Sequence, residues 1–486
     1  MNIVTDNQQE IKGLLQAPVT RIIEESKDSL ELERRLWQFT SDFICAVLAL
    51  LLECIDDKLY ETYKKAGYRV ERRDTRSIYC LFGLLTYRRR RLKKKGQDAI
   101  YPLDQKLGFV KGMRYSLGMM ERIAVIMSMS TARHTSQAVS LLTQTSVSAQ
   151  TVVAIKNWAG KKYNEYSQHK AEETTAKRPV SGSTVVVEGD GIVMKGKGTK
   201  NRLELHRLQV YEGVKKNGNR TELTGLRCFA GSDRKEVWKQ ARQYLRNTYD
   251  LTKLTVLTNG DGGAGYSAKD FEELCEGCKE HIHFRDQYHV NRKIRSRLSF
   301  CPKDFVEIFL RELRSSPDVK VVMKPWMETA ASMAKTKEDR KNAARLEAYL
   351  ARNVDYIPTL EVRGIQTEIH LGTAETNHRF YTYRMKKQGR SWSKEGFDQM
   401  AWLLTGMKNG DLAEGLLYRN KGKACKAIDR DTKKAARQAQ KEGCQGFLKE
   451  FIAKAKNYRP ACINGGIAVY GPSSSPLGRL AKSLQF

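Results

Sequence analysis

Apolar positions in the first third of the chain recur at helical spacing, then at strand spacing, then at helical spacing again. From 19 to 66, Leu30, Leu32, Leu36 and Trp37 precede the apolar run 43–52, and Leu59 and Tyr63 follow it. The period predicts helix, with a break at Thr40-Ser41-Asp42, three residues that favour N-caps over helix interiors. Segments 68–73 and 77–88 alternate in part and are interrupted by Gly83, which predicts a basic β-hairpin within 67–115. Over 116–170 the helical period returns in Met119, Met120, Ile123, Ala124, Ile126 and Met127, and again over 136–142. The polar stretch 143–148 separates these from Val152, Val153, Ile155 and Trp158. Two helices about a polar turn suit a helix-turn-helix whose second helix, entered after Ser148 and carrying Lys156, would lie in a major groove. Any helical hairpin has the same pattern.

The segment 171–182 reads as a linker, and a regular order follows it. Strands are expected at 184–194, 203–211 and, past the turn Asn217-Gly218-Asn219, 223–230. A helix begun by Ser232 and Asp233 carries Val237, Ala241, Tyr244, Leu245 and Tyr249 on one face. Strand 254–257, a short helix over 268–274 and strand 281–284 come next. The order β-β-β-α-β-α-β, then helix, is that of the ribonuclease-H-like fold: an α/β core with a mixed five-stranded sheet. On this reading 183–290 is its first part, 291–360 an all-α insertion and 361–400 its final part. Residues 1–66 form an N-terminal helical region, and 401–486 a basic helical region with a loose tail at 471–476.

Three acids stand where that fold would bring them together. Asp190 closes the run Val185-Val186-Val187, Asp261 lies in Asn259-Gly260-Asp261-Gly262, and Glu375 opens Glu375-Thr376-Asn377-His378. The separations are 71 and 114 residues, the second lengthened by the insertion. Three carboxylates suit Mg²⁺, a hard cation that prefers oxygen ligands. Two such ions, or Mn²⁺ in their place, about 3.5–4 Å apart would activate an attacking hydroxyl and stabilise the leaving oxygen of a phosphodiester. Each acid has a plainer alternative. Glu188 shares a strand face with Asp190, Asp261 could form an Asx-turn, and Glu375 could be a helix-start acid. Asp286 competes as third acid or, with His289, acts as an auxiliary residue.

Composition narrows the partner. The chain holds 486 residues, 86 Lys+Arg against 55 Asp+Glu, for a formal charge of +31. A polyanion is the expected partner, double-stranded DNA before any membrane. Basic runs include Arg88-Arg89-Arg90-Arg91 and Lys93-Lys94-Lys95 early, and Lys433, Lys434 and Arg437 late. Met1-Asn2-Ile3-Val4-Thr5-Asp6 has no basic region before an apolar core, and the run 43–52 is about half the ~20 residues a membrane span needs, so a cytoplasmic protein is expected. Ten scattered cysteines suggest free thiols. Cys275, Cys278, His281 and His283 invite a zinc reading, though four ligands within nine residues are tighter than common structural sites.

At these residues the chain resembles bacterial insertion-sequence transposases of the Lre type. The matching pieces are Glu188-Gly189-Asp190-Gly191, Asn259-Gly260-Asp261-Gly262, Asp286-Gln287-Tyr288-His289, and Ala374-Glu375 followed by 383–393; the last block is the most specific. Arg72-Arg73-Asp74-Thr75-Arg76, Phe82-Gly83 and Tyr87-Arg88-Arg89 also follow that group's pattern. The resemblance implies a DDE-type transposase, with Asp190, Asp261 and Glu375 as catalytic metal ligands, that binds element ends and joins their 3′-hydroxyls to target DNA. It further implies a nucleoid-associated homo-oligomer, with Arg384, Lys386, Lys387 and Arg390 along a phosphate path and Trp392 stacking on a displaced base. A non-catalytic DNA-binding descendant of a transposon, or a ribonuclease-H-fold nuclease of repair or recombination, would fit the same composition.

Overall fold

The apolar run near the N-terminus lies inside one uninterrupted helix that begins where a carboxylate caps it. In this computed structural model, which describes residues 8–173, 176–198, 202–218, 220–365 and 369–418, α1 spans Gln8–Glu25 and α2 spans Ser29–Lys65. Asp28 accepts the Glu31 backbone N–H at 2.8 Å, satisfying a donor that has no partner within the helix. The break expected at Thr40-Ser41-Asp42 does not occur. Thr40 turns its hydroxyl back to the Leu36 carbonyl at 2.7 Å, which lets a cap-forming residue sit mid-helix. Lys433, Lys434, Arg437, the tail 471–476 and Met1 through Asp6 lie outside the described residues.

The described residues divide into two compact units, one of 8–120 and 136–148, the other of 121–135 and 149–418. In the first, β1 (Arg69–Cys80) and β2 (Gly83–Lys93) form the expected antiparallel hairpin, turning through Leu81 and Phe82. The second predicted strand, 77–88, therefore contains the turn. Cys45 and Ala49 of α2 pack against Ile78, Leu85 and Tyr87, and Leu103 of α3 (Pro102–Leu107) joins them. Among the described residues α2 is the helix long and apolar enough to cross a membrane, and its Trp37 and Phe43 are exposed. After α4 (Leu117–Met129) and α5 (Ala132–Leu142) comes α6 (Ala149–Glu172), which belongs to the second unit from its first residue.

The second unit is built on a five-stranded mixed sheet. Its strands β3 (Thr184–Lys195), β4 (Arg202–Tyr211), β7 (Arg227–Gly231), β8 (Thr255–Gly260) and β9 (Glu280–Arg285) lie in the order β7-β4-β3-β8-β9. β4 runs antiparallel to both β3 and β7, whereas β3, β8 and β9 are parallel. The strand predicted at 223–230 is two strands. Gly225, at φ +64°, turns the chain, so β6 (Arg220–Thr224) closes a separate hairpin with β5 (Gly213–Asn217) and β7 takes the sheet edge.

Strand alternation sorts β3 between two layers. Val185 and Val187 pack with Leu208, Val210 and Phe229 beneath Val237, Ala241 and Leu245 of α7 (Arg234–Thr248), while Val186 faces Tyr211, Leu257, Phe284 and Ile369 on the other side. α8 (Ala268–Leu274) precedes β9. The helices α9 (Gln287–Arg297), α10 (Lys303–Ser315), α11 (Val319–Met333) and α12 (Lys337–Ala351) enclose a core of their own around Ile294, Phe309, Leu346 and Leu350. The chain then returns to the sheet through α13 (Thr373–Met385), α14 (Lys394–Asn409) and α15 (Leu412–Leu417). α13 lies over β3, and α14 packs along α6. The helix expected to enter a groove thus spends one face, including Val152, Ile155, Ala159 and Tyr163, on the core.

Candidate active site

The strand register brings three acids to one edge of the sheet. Glu188 pairs with Asn259 and Gly189 with Gly260, and Gly260 pairs with Arg285, so Asp190, Asp261 and Asp286 each follow the last of those pairs on adjacent parallel strands. Ligands of open α/β sheets bind beyond such carboxyl ends. α13 crosses the same edge and carries Glu375 in its first turn.

A buried polar network, most of it absent from the sequence reading, docks α13. Glu188 is 1% exposed. Its carboxylate accepts the Gly372 and Thr373 backbone N–H groups at 2.5 and 3.3 Å, the Thr373 hydroxyl at 2.6 Å, Gln209 at 2.7 Å and Asn259 at 3.2 Å. It is a cap for α13 supplied by a residue 185 positions away. Burial raises its carboxyl above the ordinary range, against the pull of those donors. Arg207 of β4, also buried, donates to the Ala374 carbonyl at 3.0 Å and to Gln209. Glu188 is therefore committed to structure, and its strand neighbour Asp190 is the acid that faces the site.

Asp190, Glu375 and His289 converge: one ligand atom from each lies within 4.8 Å of the others. The Asp190 Oδ1 accepts the Gly191 N–H at 2.6 Å, and Oδ2 lies 3.6 Å from His289 Nε2 and 3.4 Å from His378 Nδ1. His378 Nδ1 is also 3.6 Å from Glu375 Oε2, so one histidine, a turn along α13, touches both acids. Burial, and after it Arg207, hold the His378 imidazole down to about 3, so it is neutral and these are polar contacts rather than ion pairs. His289 is the opposite case, for Asp190 raises its imidazole above the ordinary value. Its Nε2 is nonetheless buried without a hydrogen-bond partner.

The other two acids are otherwise engaged. Asp261 accepts the Gly263 N–H at 2.8 Å, the Asx-turn that sequence allowed, and stands beside the cluster rather than in it. Asp286 caps α9 through the Tyr288 N–H at 2.8 Å, and burial raises its carboxyl. His378, the residue the sequence reading passed over, was signalled only by its place three positions after Glu375.

Several residues expected on a DNA path point inward. Arg90 is paired with Asp56 at 2.7 Å and Asp57 at 2.6 Å, Arg89 with Asp104, and Arg91 with Glu71 at 3.1 Å; Arg88 is exposed. Lys156 is buried and donates to the Gly396 carbonyl at 3.3 Å. Arg384, 2% exposed, donates to the Met127 carbonyl at 3.2 and 3.1 Å. A guanidinium so enclosed cannot meet a phosphate, and Arg384 and Lys156 are corrected to structural residues. Lys386 and Lys387 are exposed, and Arg390 is half-buried near the Ser130 carbonyl. Trp392 is half-buried, its indole N–H bonded to the Met385 carbonyl at 2.8 Å and its backbone bridged to Gly196, just past β3. The zinc alternative finds no shared centre. His281 and His283 both meet the Thr258 hydroxyl at 2.8 Å, and burial raises the Cys275 and Cys278 thiols.

Residues 24–421 match a family described as Uncharacterised protein family (UPF0236). A UPF0236 protein in the vanSb 3′ region of Streptococcus gallolyticus is 28% identical over 467 residues, 96% of this chain and 98% of the relative. A UPF0236 protein of Caldanaerobacter subterraneus subsp. tengcongensis is 22% identical over 472 residues, 94% and 87% of the two chains. Another from that organism, 20% identical over 286 residues and covering 57% of this chain and 56% of its own, bears a name that joins eleven designations.

Proposed function

The chain belongs to the UPF0236 family, and on that premise we propose that it is a DDE-type transposase which binds the ends of its own insertion sequence and cuts and joins DNA strands. The observation that carries the reading is the meeting of Asp190 and Glu375 over the central strand of a sheet ordered β7-β4-β3-β8-β9. Leaving out the β5–β6 hairpin, that is third-second-first-fourth-fifth in chain order, the arrangement expected of a ribonuclease-H-like core. Asp261, after the fourth of these strands, is the remaining carboxylate. The net charge of +31 suits a DNA partner. A relative whose name joins eleven designations fits a protein encoded many times over in one genome, as transposition would produce.

The residues present fit a divalent cation. One ligand atom each of Asp190, Glu375 and His289 lies within 4.8 Å of the others, and the His289 Nε2 has no hydrogen-bond partner. Bound Mg²⁺ or Mn²⁺ supplies Lewis acidity and lowers the pKa of an attacking water or 3′-hydroxyl. Asp190 and Glu375 hold their oxygens toward that position. Glu188, Gln209 and Arg207 keep α13 from drifting off the strand end, and exposed Lys386 and Lys387 attract the phosphate backbone.

The test uses purified full-length protein and labelled DNA flanking its own coding region, with Mg²⁺, with Mn²⁺ or with chelator. Cleavage at discrete positions and joining of the new 3′-ends are expected only with an ion present. Metal-independent cutting, or full activity in Asp190→Asn, would overturn the reading.

A further inference from the structure

The DDE reading assigns the ions to carboxylates alone, yet the ligand atoms that converge here are two oxygens and a nitrogen. We infer that Asp190, Glu375 and His289 form a mixed oxygen–nitrogen site that takes a nitrogen-accepting divalent cation of the Mn²⁺ type in preference to Mg²⁺. The inference rests on the proposed function only for the expectation that an ion is held at this strand end.

Geometry comes first. Ligands bound at roughly 2.1 Å lie about 3 to 4 Å apart around one ion. The three atoms already lie within 4.8 Å of one another, so closing on an ion needs side-chain shifts rather than refolding. One of the carboxylates is held from behind. Asp190 spends Oδ1 on the Gly191 N–H, which leaves Oδ2 turned toward the histidines. His289 sits in the first turn of α9, whose start is fixed to the sheet by Asp286: its N–H donates to the Gly260 carbonyl at 3.0 Å, and its carboxylate caps the helix.

A second observation comes from His378. Its side chain is 7% exposed, its Nδ1 is aimed at both carboxylates, and its Nε2 has no hydrogen-bond partner. His378 thus places a second imidazole nitrogen beside the same two carboxylates, 3.4 Å from Asp190 Oδ2 and 3.6 Å from Glu375 Oε2. Imidazole nitrogen is a poor ligand for Mg²⁺, which demands oxygen, and an acceptable one for first-row transition ions.

The experiment is ion binding to the full-length protein without DNA. Mn²⁺ binding is followed by electron paramagnetic resonance, Mg²⁺ competes for the site, and electron spin-echo modulation reports any ¹⁴N coupled to bound Mn²⁺. The wild type is expected to prefer Mn²⁺ by at least tenfold and to show nitrogen coupling. His289→Asp should keep an ion, lose the coupling and bring the preference to within about threefold. Absence of ¹⁴N coupling in the wild type, equal affinity for the two ions, or an unchanged preference in His289→Asp each overturns the inference. The wild-type spectrum decides the matter even where the variant fails to fold. Nitrogen coupling in a protein that never cuts DNA would leave this site standing and remove the transposase reading; Mg²⁺-supported cutting without coupling would do the reverse.

Discussion

Glu188 and Asp190 stand two positions apart on one strand face, and their surroundings give them different work. Glu188 is enclosed by donors that cap α13, whereas Asp190 has one oxygen on Gly191 and the other toward His289 and His378. Asp190→Asn and Glu375→Gln should therefore lower strand cleavage by about 10³-fold or more while DNA affinity, measured by filter binding, changes less than about threefold. Lys156 gives a stability test. Burial lowers its ammonium from 10.5 to about 8, so between those values the folded protein binds fewer protons than the unfolded chain. Stability from this group is then fullest above about pH 10.5 and is lost as pH falls through about 8. Lys156→Met should be more stable than wild type by about 2 kcal/mol at pH 7, a gap that closes between about pH 8 and 10.5 in paired urea melts.

At the scale of elements, α6 and α14 approach closely because one position on α6 has no side chain. A Cβ on Gly160 would sit 2.0 Å from the Gln399 carbonyl oxygen, a backbone atom that cannot yield without moving α14. Gly160→Ala should cost about 3 kcal/mol in a denaturant melt. Ser167→Ala on the same helix, away from that contact, serves to calibrate the series. Element types were legible because they follow from local periodicity: a hairpin, a run of helices after the last sheet strand and most of the sheet strands have the type the pattern predicted. Boundaries were less so: the hairpin turns at Leu81 and Phe82, inside the strand expected at 77–88. Thr40 forms its compensating bond inside the helix, and Gly225 ends one strand and begins another in a stretch that reads as continuous.

Over the whole molecule, the charge of +31 does not translate into a uniform DNA-binding surface. Arg76, Arg89, Arg90, Arg91 and Arg227 are engaged with acids of the chain, and Arg384 with a backbone carbonyl. Arg88→Ala should weaken DNA binding a few-fold and lower the slope of log affinity against log salt by about 1. Arg90→Ala, which leaves Asp56 buried with the backbone N–H of residue 90 but without its guanidinium partner, should instead destabilise the first unit by about 3 kcal/mol, read by thermal melting. Wild-type affinity should fall by about 10³-fold between 50 and 200 mM salt if the remaining exposed cations follow the phosphate backbone.

The sequence by itself determined the type of most helices and strands, the run of helices after the last sheet strand and the excess of positive charge, since each depends on neighbours within a few residues or on composition. It also singled out Asp190 and Glu375, which the fold brings together. Only the tertiary structure decided which acid of the Glu188–Asp190 pair faces the site, which arginines turn inward, and that His289 and His378 stand beside the carboxylates. The physical reason is that a polar side chain takes its role from partners that satisfy or desolvate it. Here those partners lie 99 to 257 residues away for Asp190 with His289, Arg207 with Ala374, Glu188 with Thr373 and Arg384 with Met127, beyond the reach of any local pattern.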